Sequence, residues 1–347
     1  MRVRLSPGDR AFARRVAIVI ALGGLFALVC YMAELLLLAF AGILGAVLAN
    51  SAAKWVRRRT GFGQRLSYLL VLFSGVLITA GILWLLVPRV IVQVSELTSA
   101  LPKALENARA YLDRYEWGRA IVSHTGNIDF GTIATKLTSV GSALMNLAIA
   151  VTVMVVLTGY LGEDPAYYKQ GFMALLPQSS RRKAGEVLGQ VGETLRWWLL
   201  GQSVPMISLG IFTMAGLLIL GIPLAFTLSL LTGVLIFIPF AGAVIAFIAT
   251  ALVTLSYNPS KLLSVTILFL AIHFMEGYVL TPLVQKRAVY LPPAITIFAQ
   301  VVMASLFGFL GLILATPLAA ATLVVVRSLY MEPGDDITQA PGGDSDS

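Results

Sequence analysis

Charge is what this chain has least of. Only 12% of its 347 residues are Asp, Glu, Lys or Arg, against about 25% in ordinary soluble domains. Cysteine occurs once, at Cys30, and histidine twice. A single cysteine allows no internal disulfide, and one inside an apolar run reads as a small packing residue. Between Val204 and Met331 the only acidic residue is Glu276. The alternating strands of roughly ten residues that build a membrane barrel are missing. So are H-E-x-x-H, G-x-S-x-G, a phosphate-binding loop and any Cys/His cluster. Those absences point away from an enzyme, a bound cofactor, a metal centre and a built-in ATPase.

What is present is apolar. Hydrophobic residues make up 58% of the chain and the mean hydropathy is +0.87. Several runs approach the ~20 residues needed to cross a bilayer core. Inside lipid the backbone must satisfy itself, so an all-α, polytopic membrane protein with about eight hydrophobic segments is expected. The net charge of +8 does not indicate a nucleic-acid partner. The basic residues lie in short loops beside apolar runs, where they set orientation.

The first run spans Val16 to Cys30 and the second Leu35 to Ala49, with arginines before the one and Lys54, Arg57, Arg58, Arg59 and Arg65 after the other. The positive-inside rule makes both flanks cytoplasmic, and the third run, Leu66 to Val87, leads outward. Residues 1–87 thus form a membrane scaffold of three retained spans rather than a cleaved signal. Residues 88–143 carry six basic and five acidic residues. Val94, Leu97, Leu101, Leu105 and Leu112 recur at helical spacing, so the segment reads as an extracytoplasmic amphipathic helix. Its apolar stripe suits a neighbouring subunit or the membrane surface. Residues 144–203 supply a fourth span and a cytoplasmic helix, with Ser179 and Ser180 as N-caps and Trp197 and Trp198 at the interface. Residues 328–347 read as a disordered cytoplasmic tail.

Residues 204–327 read as the transport core. Residues 225–254 would span about 45 Å as one helix and 293–326 about 51 Å. Both exceed a bilayer, and both carry breakers: Pro239 and Gly242 in IPFAG, then Gly308, Gly311 and Pro317. Each segment is therefore either one long kinked helix or a hairpin of two half-helices. Hairpins place Lys261 outside and Lys286, Arg287 and Arg327 inside, which follows the positive-inside rule better. They also give span plus hairpin twice, in opposite orientations, the pattern of secondary transporters with a midplane site.

Candidate site residues follow from polarity. Glu276 would cost about 2.5–3.5 kcal/mol at the bilayer centre, so it reads either as a working carboxylate or as a polar helix end. His273, three residues earlier, shares its face and could relay a proton or simply pack. Gln300 suits a polyol-like cargo or an interhelical hydrogen bond, and Gln202 and Asn146 rank lower because they sit nearer span ends. Pro239, Gly242, Pro282, Gly308, Gly311 and Pro317 are backbone devices that free carbonyls or permit close packing.

The order LGIPLAF, IPFAGAVIAFI, EGYVLTPLVQKRAVYLPPA and LFGFLGLILATPLAA resembles the autoinducer-2 exporter (AI-2E) family of bacterial membrane proteins. The resemblance is strongest from Glu163 to Arg327, and Ala243 stands where relatives often place a proline. It implies a multi-pass inner-membrane transporter with cytoplasmic termini, in homo-oligomers, that exports a small polar solute such as autoinducer-2, ion-coupled or passively. Sodium(cation)/proton antiport is the alternative, and a non-transporting membrane scaffold is the alternative of another class.

Overall fold

The structure is a computed structural model, and it describes residues 32–112, 148–280 and 291–330, together with positions 16, 23 and 24. Most of the first apolar run, with Cys30, lies outside the described residues, as do residues 113–147 with Asn146, Pro282, Lys286, Arg287 and the segment from 331 onward.

Every regular element among the described residues is helical. Helices α1 (Ala33–Thr60) and α2 (Gln64–Leu112) form an antiparallel pair. Helix α3 (Ala148–Glu163) bends by 85° into α4 (Pro165–Ala174). Helix α5 is Gln178–Ile219, followed by α6 (Ala225–Leu235) and α7 (Ala241–Tyr257). A short 3₁₀ turn at Pro259–Lys261 leads into α8 (Leu262–Met275), which loosens into a π-helical turn at Glu276–Leu280. Helix α9 covers Pro293–Tyr330. Five helices are long and apolar enough to cross a membrane, six if α3 and α4 form one bent span, and α6 and α7 are shorter apolar pieces. The all-α, multi-segment membrane architecture expected from composition is thus present.

Residue 87 lies inside α2 and residue 203 inside α5, whose Pro205 is accommodated without a break. Helix α5 starts one residue before Ser179, with Pro177 at the cap position and no side-chain capping bond. The two serines occupy its first turn. Trp198 is buried in the core.

Helices α1, α5 and α9 share the main apolar cluster, with Leu37, Leu44, Leu195, Trp198 and Leu314 at its centre. Small residues bring α3 close to α1 and α2. Gly42 faces Leu157, Gly45 faces Thr158 and Gly162 faces the Tyr68 hydroxyl. The Tyr68 hydroxyl donates to the Thr158 carbonyl at 2.6 Å, and Asn50 Nδ2 donates to the Gly162 carbonyl at 3.0 Å. Such small-residue contacts matter in lipid, where no hydrophobic force draws helices together.

Both long core segments fold back. Lys261 Nζ donates to the Leu220 carbonyl at 2.6 Å, so the chain leaves the 225–254 segment at the end where it entered. Ala225, at the start of α6, and Val253, near the end of α7, belong to one buried cluster. In a straight helix they would be about 42 Å apart. The second fold-back lies inside α9, whose helical path is interrupted at Phe307 and Gly308. Gln300 Nε2 reaches Thr316 Oγ1 at 3.4 Å, although 16 residues of straight helix would separate them by about 24 Å. Gly308, at φ 59° and ψ −141°, occupies a region open essentially only to glycine.

The hairpins open at opposite ends. Ser328, at the close of α9, donates to Gln190 Oε1 at 2.6 Å. Gln190 lies some 30 residues along α5 from Leu220, or about 45 Å. The α6–α7 hairpin thus has its base at the far end of α5, and the α9 hairpin has its closing arm at the near end. Span plus hairpin occurs twice, inverted.

Candidate functional site

The tip of the first hairpin meets the arms of the second. In the first tip, residues 236–240 leave the helical ladder. The Ala241 N–H bonds the Pro239 carbonyl across Phe240 at 2.7 Å, with Phe240 at φ 62° and ψ −61°. This is the γ-turn of positive central φ, a rare and strained geometry for a residue with a Cβ. Pro239 makes the stop, because it lacks an N–H and its ring crowds the preceding turn. Gly242 makes the return: a Cβ there would collide with the Leu235 carbonyl. In the second tip, a Cβ on Gly311 would collide with the Met303 carbonyl. Pro317 is buried in the returning arm of α9.

Carbonyls freed by the first break need donors, and two glutamine side chains supply them. Gln300 Nε2, from the entering arm of α9, donates to the Pro239 carbonyl at 2.7 Å and to Thr316 Oγ1. Gln202 Nε2, from α5, donates to the Ile236 carbonyl. Gln300 is only 4% exposed. Phe237 of the first tip and Met303, Phe307 and Leu310 of the second pack on one cluster, where the Trp198 ring meets Phe237 edge-on at 5.5 Å. The junction therefore holds two amides, a threonine hydroxyl and at least two off-ladder carbonyls, none of them formally charged. Half-helix ends and unwound carbonyls of this kind are where transporters bind polar cargo.

The His273–Glu276 pair lies at the end of α8. His273 Nδ1 and Glu276 Oε2 are 2.9 Å apart, with the side chains 26% and 25% exposed. His273 Nε2 is buried without a hydrogen-bond partner. The π-helical turn that starts at Glu276 is a feature often found at functional positions. Phe269 connects His273 to α7, its ring 6.1 Å from the imidazole and 5.5 Å from Phe247. Ile272, beside the histidine, shares a cluster with Ile236 of the first tip and Leu209 of α5.

The structure therefore gathers Pro239, Gly242 and Gln300 at one junction, with Gly308 and Gly311 shaping its other side. His273 and Glu276 form a separate pair one helix away, and among the described residues no hydrogen bond or ion pair joins the two groups. Pro282 lies outside the described residues. Sequence reasoning ranked Gln202 low and passed over Thr316. Gln202 looked peripheral because Val204 was read as the start of a span, whereas α5 runs on to either side of it. Thr316 gave no signal, since a threonine in an apolar helix usually bonds its own backbone.

Comparison with known proteins gives a consistent result. The sequence model of the AI-2E family transporters matches residues 16–331. The chain is 27% identical over 288 residues to "Putative transport protein YrrI" of Bacillus subtilis, covering 79% of this chain and 80% of that protein. It is 23% identical to "Putative transport protein sll0063" of Synechocystis, over 90% of this chain and 83% of the other. A shorter match, 24% identical over 53% of each chain, is to "Putative permease PerM" of Escherichia coli.

Proposed function

The chain belongs to the AI-2E transporter family, and from that premise we propose that it exports a small, neutral, polar solute such as autoinducer-2, with the junction of the first hairpin tip and the second hairpin as its binding site and gate. The observation that carries this reading is the hydrogen bond from Gln300 to the Pro239 carbonyl. It ties two oppositely entering hairpins together through groups able to exchange their bonds with hydroxyl-bearing cargo. A site of amides, carbonyls and a hydroxyl offers donors and acceptors but no counter-charge, which favours an uncharged solute over an anion or a divalent cation. Opening either hairpin base while the tips stay closed exposes the site to one side at a time. The proposed setting is the bacterial inner membrane, with both termini cytoplasmic and the protein in homo-oligomers.

In this reading Glu276 couples movement to protons or cations, with His273 as its partner. Burying a lone carboxylate in a membrane helix is costly, and a histidine at hydrogen-bond distance offsets part of that cost while giving the proton a second acceptor. Sodium(cation)/proton antiport without organic cargo is the second reading, and this same pair is what favours it.

Reconstituted protein separates the readings. Autoinducer-2 efflux from proteoliposomes is expected for the wild type, and Glu276→Gln is expected to slow it by about tenfold or more, about 1.4 kcal/mol of barrier. Full efflux by Glu276→Gln removes the coupling role. A pH-dye response to a sodium pulse without efflux moves the assignment to antiport. Neither response from correctly inserted protein leaves the scaffold reading.

A further inference from the structure

We propose that the end of the molecule carrying the α1–α2 turn binds the headgroups of anionic phospholipids. Gly61, at φ 73°, closes α1 with its N–H on the Arg57 carbonyl, so that α2 begins after only three residues. That tight turn brings Lys54, Arg57, Arg58 and Arg59 of α1 to the same end as Arg65 of α2. Arg57 Nη1 reaches Gln64 Oε1 across it at 3.3 Å. All five cations are exposed, and among the described residues none pairs with a carboxylate. Two other arginines are neutralised: Arg182 pairs with Glu186 and Arg196 with Glu193.

Two further features set this cluster against a membrane. Trp55 and Phe62 are 62% and 45% exposed beside it, and the Arg59 guanidinium lies 5.7 Å from the centre of the Trp55 ring. An aromatic next to cations is the composition of a bilayer–water boundary. Helix α4 lies at 85° to α3, which sets it close to the membrane plane if α3 stands upright in the bilayer. It buries none of its residues and exposes Tyr167 and Phe172. The bonds from Asn50 to Gly162 and from Tyr68 to Thr158 hold this corner to the α1–α2 pair. A solvated basic face would not need the aromatic surface, and a helix in the membrane plane would not be left bare in water. Anionic headgroups answer both: their phosphates take the uncompensated charge and their glycerol–acyl boundary takes the rings.

The test is thermal unfolding of the full chain in neutral detergent with phosphatidylglycerol, phosphatidylcholine or inorganic phosphate added. Phosphatidylglycerol is expected to raise Tm by about 3–6 °C, with no comparable shift from the other two. The triple variant Arg57→Gln, Arg58→Gln, Arg59→Gln is expected to lose most of that shift, and the corresponding lysine triple to keep most of it. An equal shift with phosphatidylcholine, or with inorganic phosphate, overturns the proposal, as does an undiminished shift in the glutamine triple. Should that variant fail to fold, the wild type at about 0.5 M NaCl gives the same reading: a shift cut by half or more upholds the proposal, and an unchanged one overturns it.

Discussion

Replacing Gln300 by leucine is expected to destabilise the solubilised protein by about 1–3 kcal/mol and to stop solute efflux. The side chain is 4% exposed and bonds the carbonyl of Pro239 and the hydroxyl of Thr316. Leucine matches its volume but leaves both acceptors in an apolar surround without this donor. The carbonyl keeps only the strained bond from Ala241 within its own γ-turn. Leaving a buried acceptor short of partners costs its desolvation penalty, which exceeds what a satisfied bond adds. A thermal melt alongside an efflux assay separates the two roles of the side chain. Lost efflux with unchanged stability makes Gln300 a cargo contact only. Unchanged efflux removes the junction from the transport pathway.

The second large effect is expected at the two hairpin returns. A Cβ added at Gly242 or at Gly311 collides with a backbone carbonyl, that of Leu235 or of Met303. Backbone cannot rotate away as a side-chain end can, so the tip must open. Gly242→Ala and Gly311→Ala are each expected to reach or exceed the upper end of the about 1–3 kcal/mol usual for overpacking. Gly189→Ala, in α5 with nothing within 4 Å of the added carbon, is expected to hold stability or raise it by up to about 1 kcal/mol. Chemical denaturation of the three variants in one detergent checks the contrast. Equal behaviour at Gly242 and Gly189 would mean that the first tip does not turn where the geometry places it.

The bends could be read in the sequence because their cause is local. A Pro or Gly near the middle of an apolar run too long for the bilayer says that the run must bend, and Pro239, Gly242, Gly308 and Gly311 all stand at the bends. Charge leaned towards hairpins over kinks but did not decide between them, because the choice rests on partners distant in sequence: Lys261 on Leu220, and Gln300 on Thr316. The His273–Glu276 contact was legible from the i,i+3 spacing alone. Its relation to the tip junction was not, since that depends on how α8 packs against α5 and the first break. Gln202 shows the opposite failure. Hydropathy marks where a helix becomes apolar, not where it starts, and α5 carries one polar half and one apolar half without interruption. Sequence also located the basic cluster after α1 but assigned it only to orientation, because the exposed aromatic neighbours and the missing counter-ions are visible only in three dimensions.

The most direct test of two inverted hairpins is the side from which their bases can be reached. Single cysteines at Ser260 and at Arg327, in a Cys30→Ala background, can be labelled in intact cells with a membrane-impermeant maleimide. Opposite-sided access is the predicted result, with Ser260 labelled from outside and Arg327 only after the cells are opened. Labelling of both from the same side would mean that residues 293–326 cross the membrane, labelling of Ser260 only from inside would mean that residues 225–254 cross it, and either result contradicts the paired hairpins.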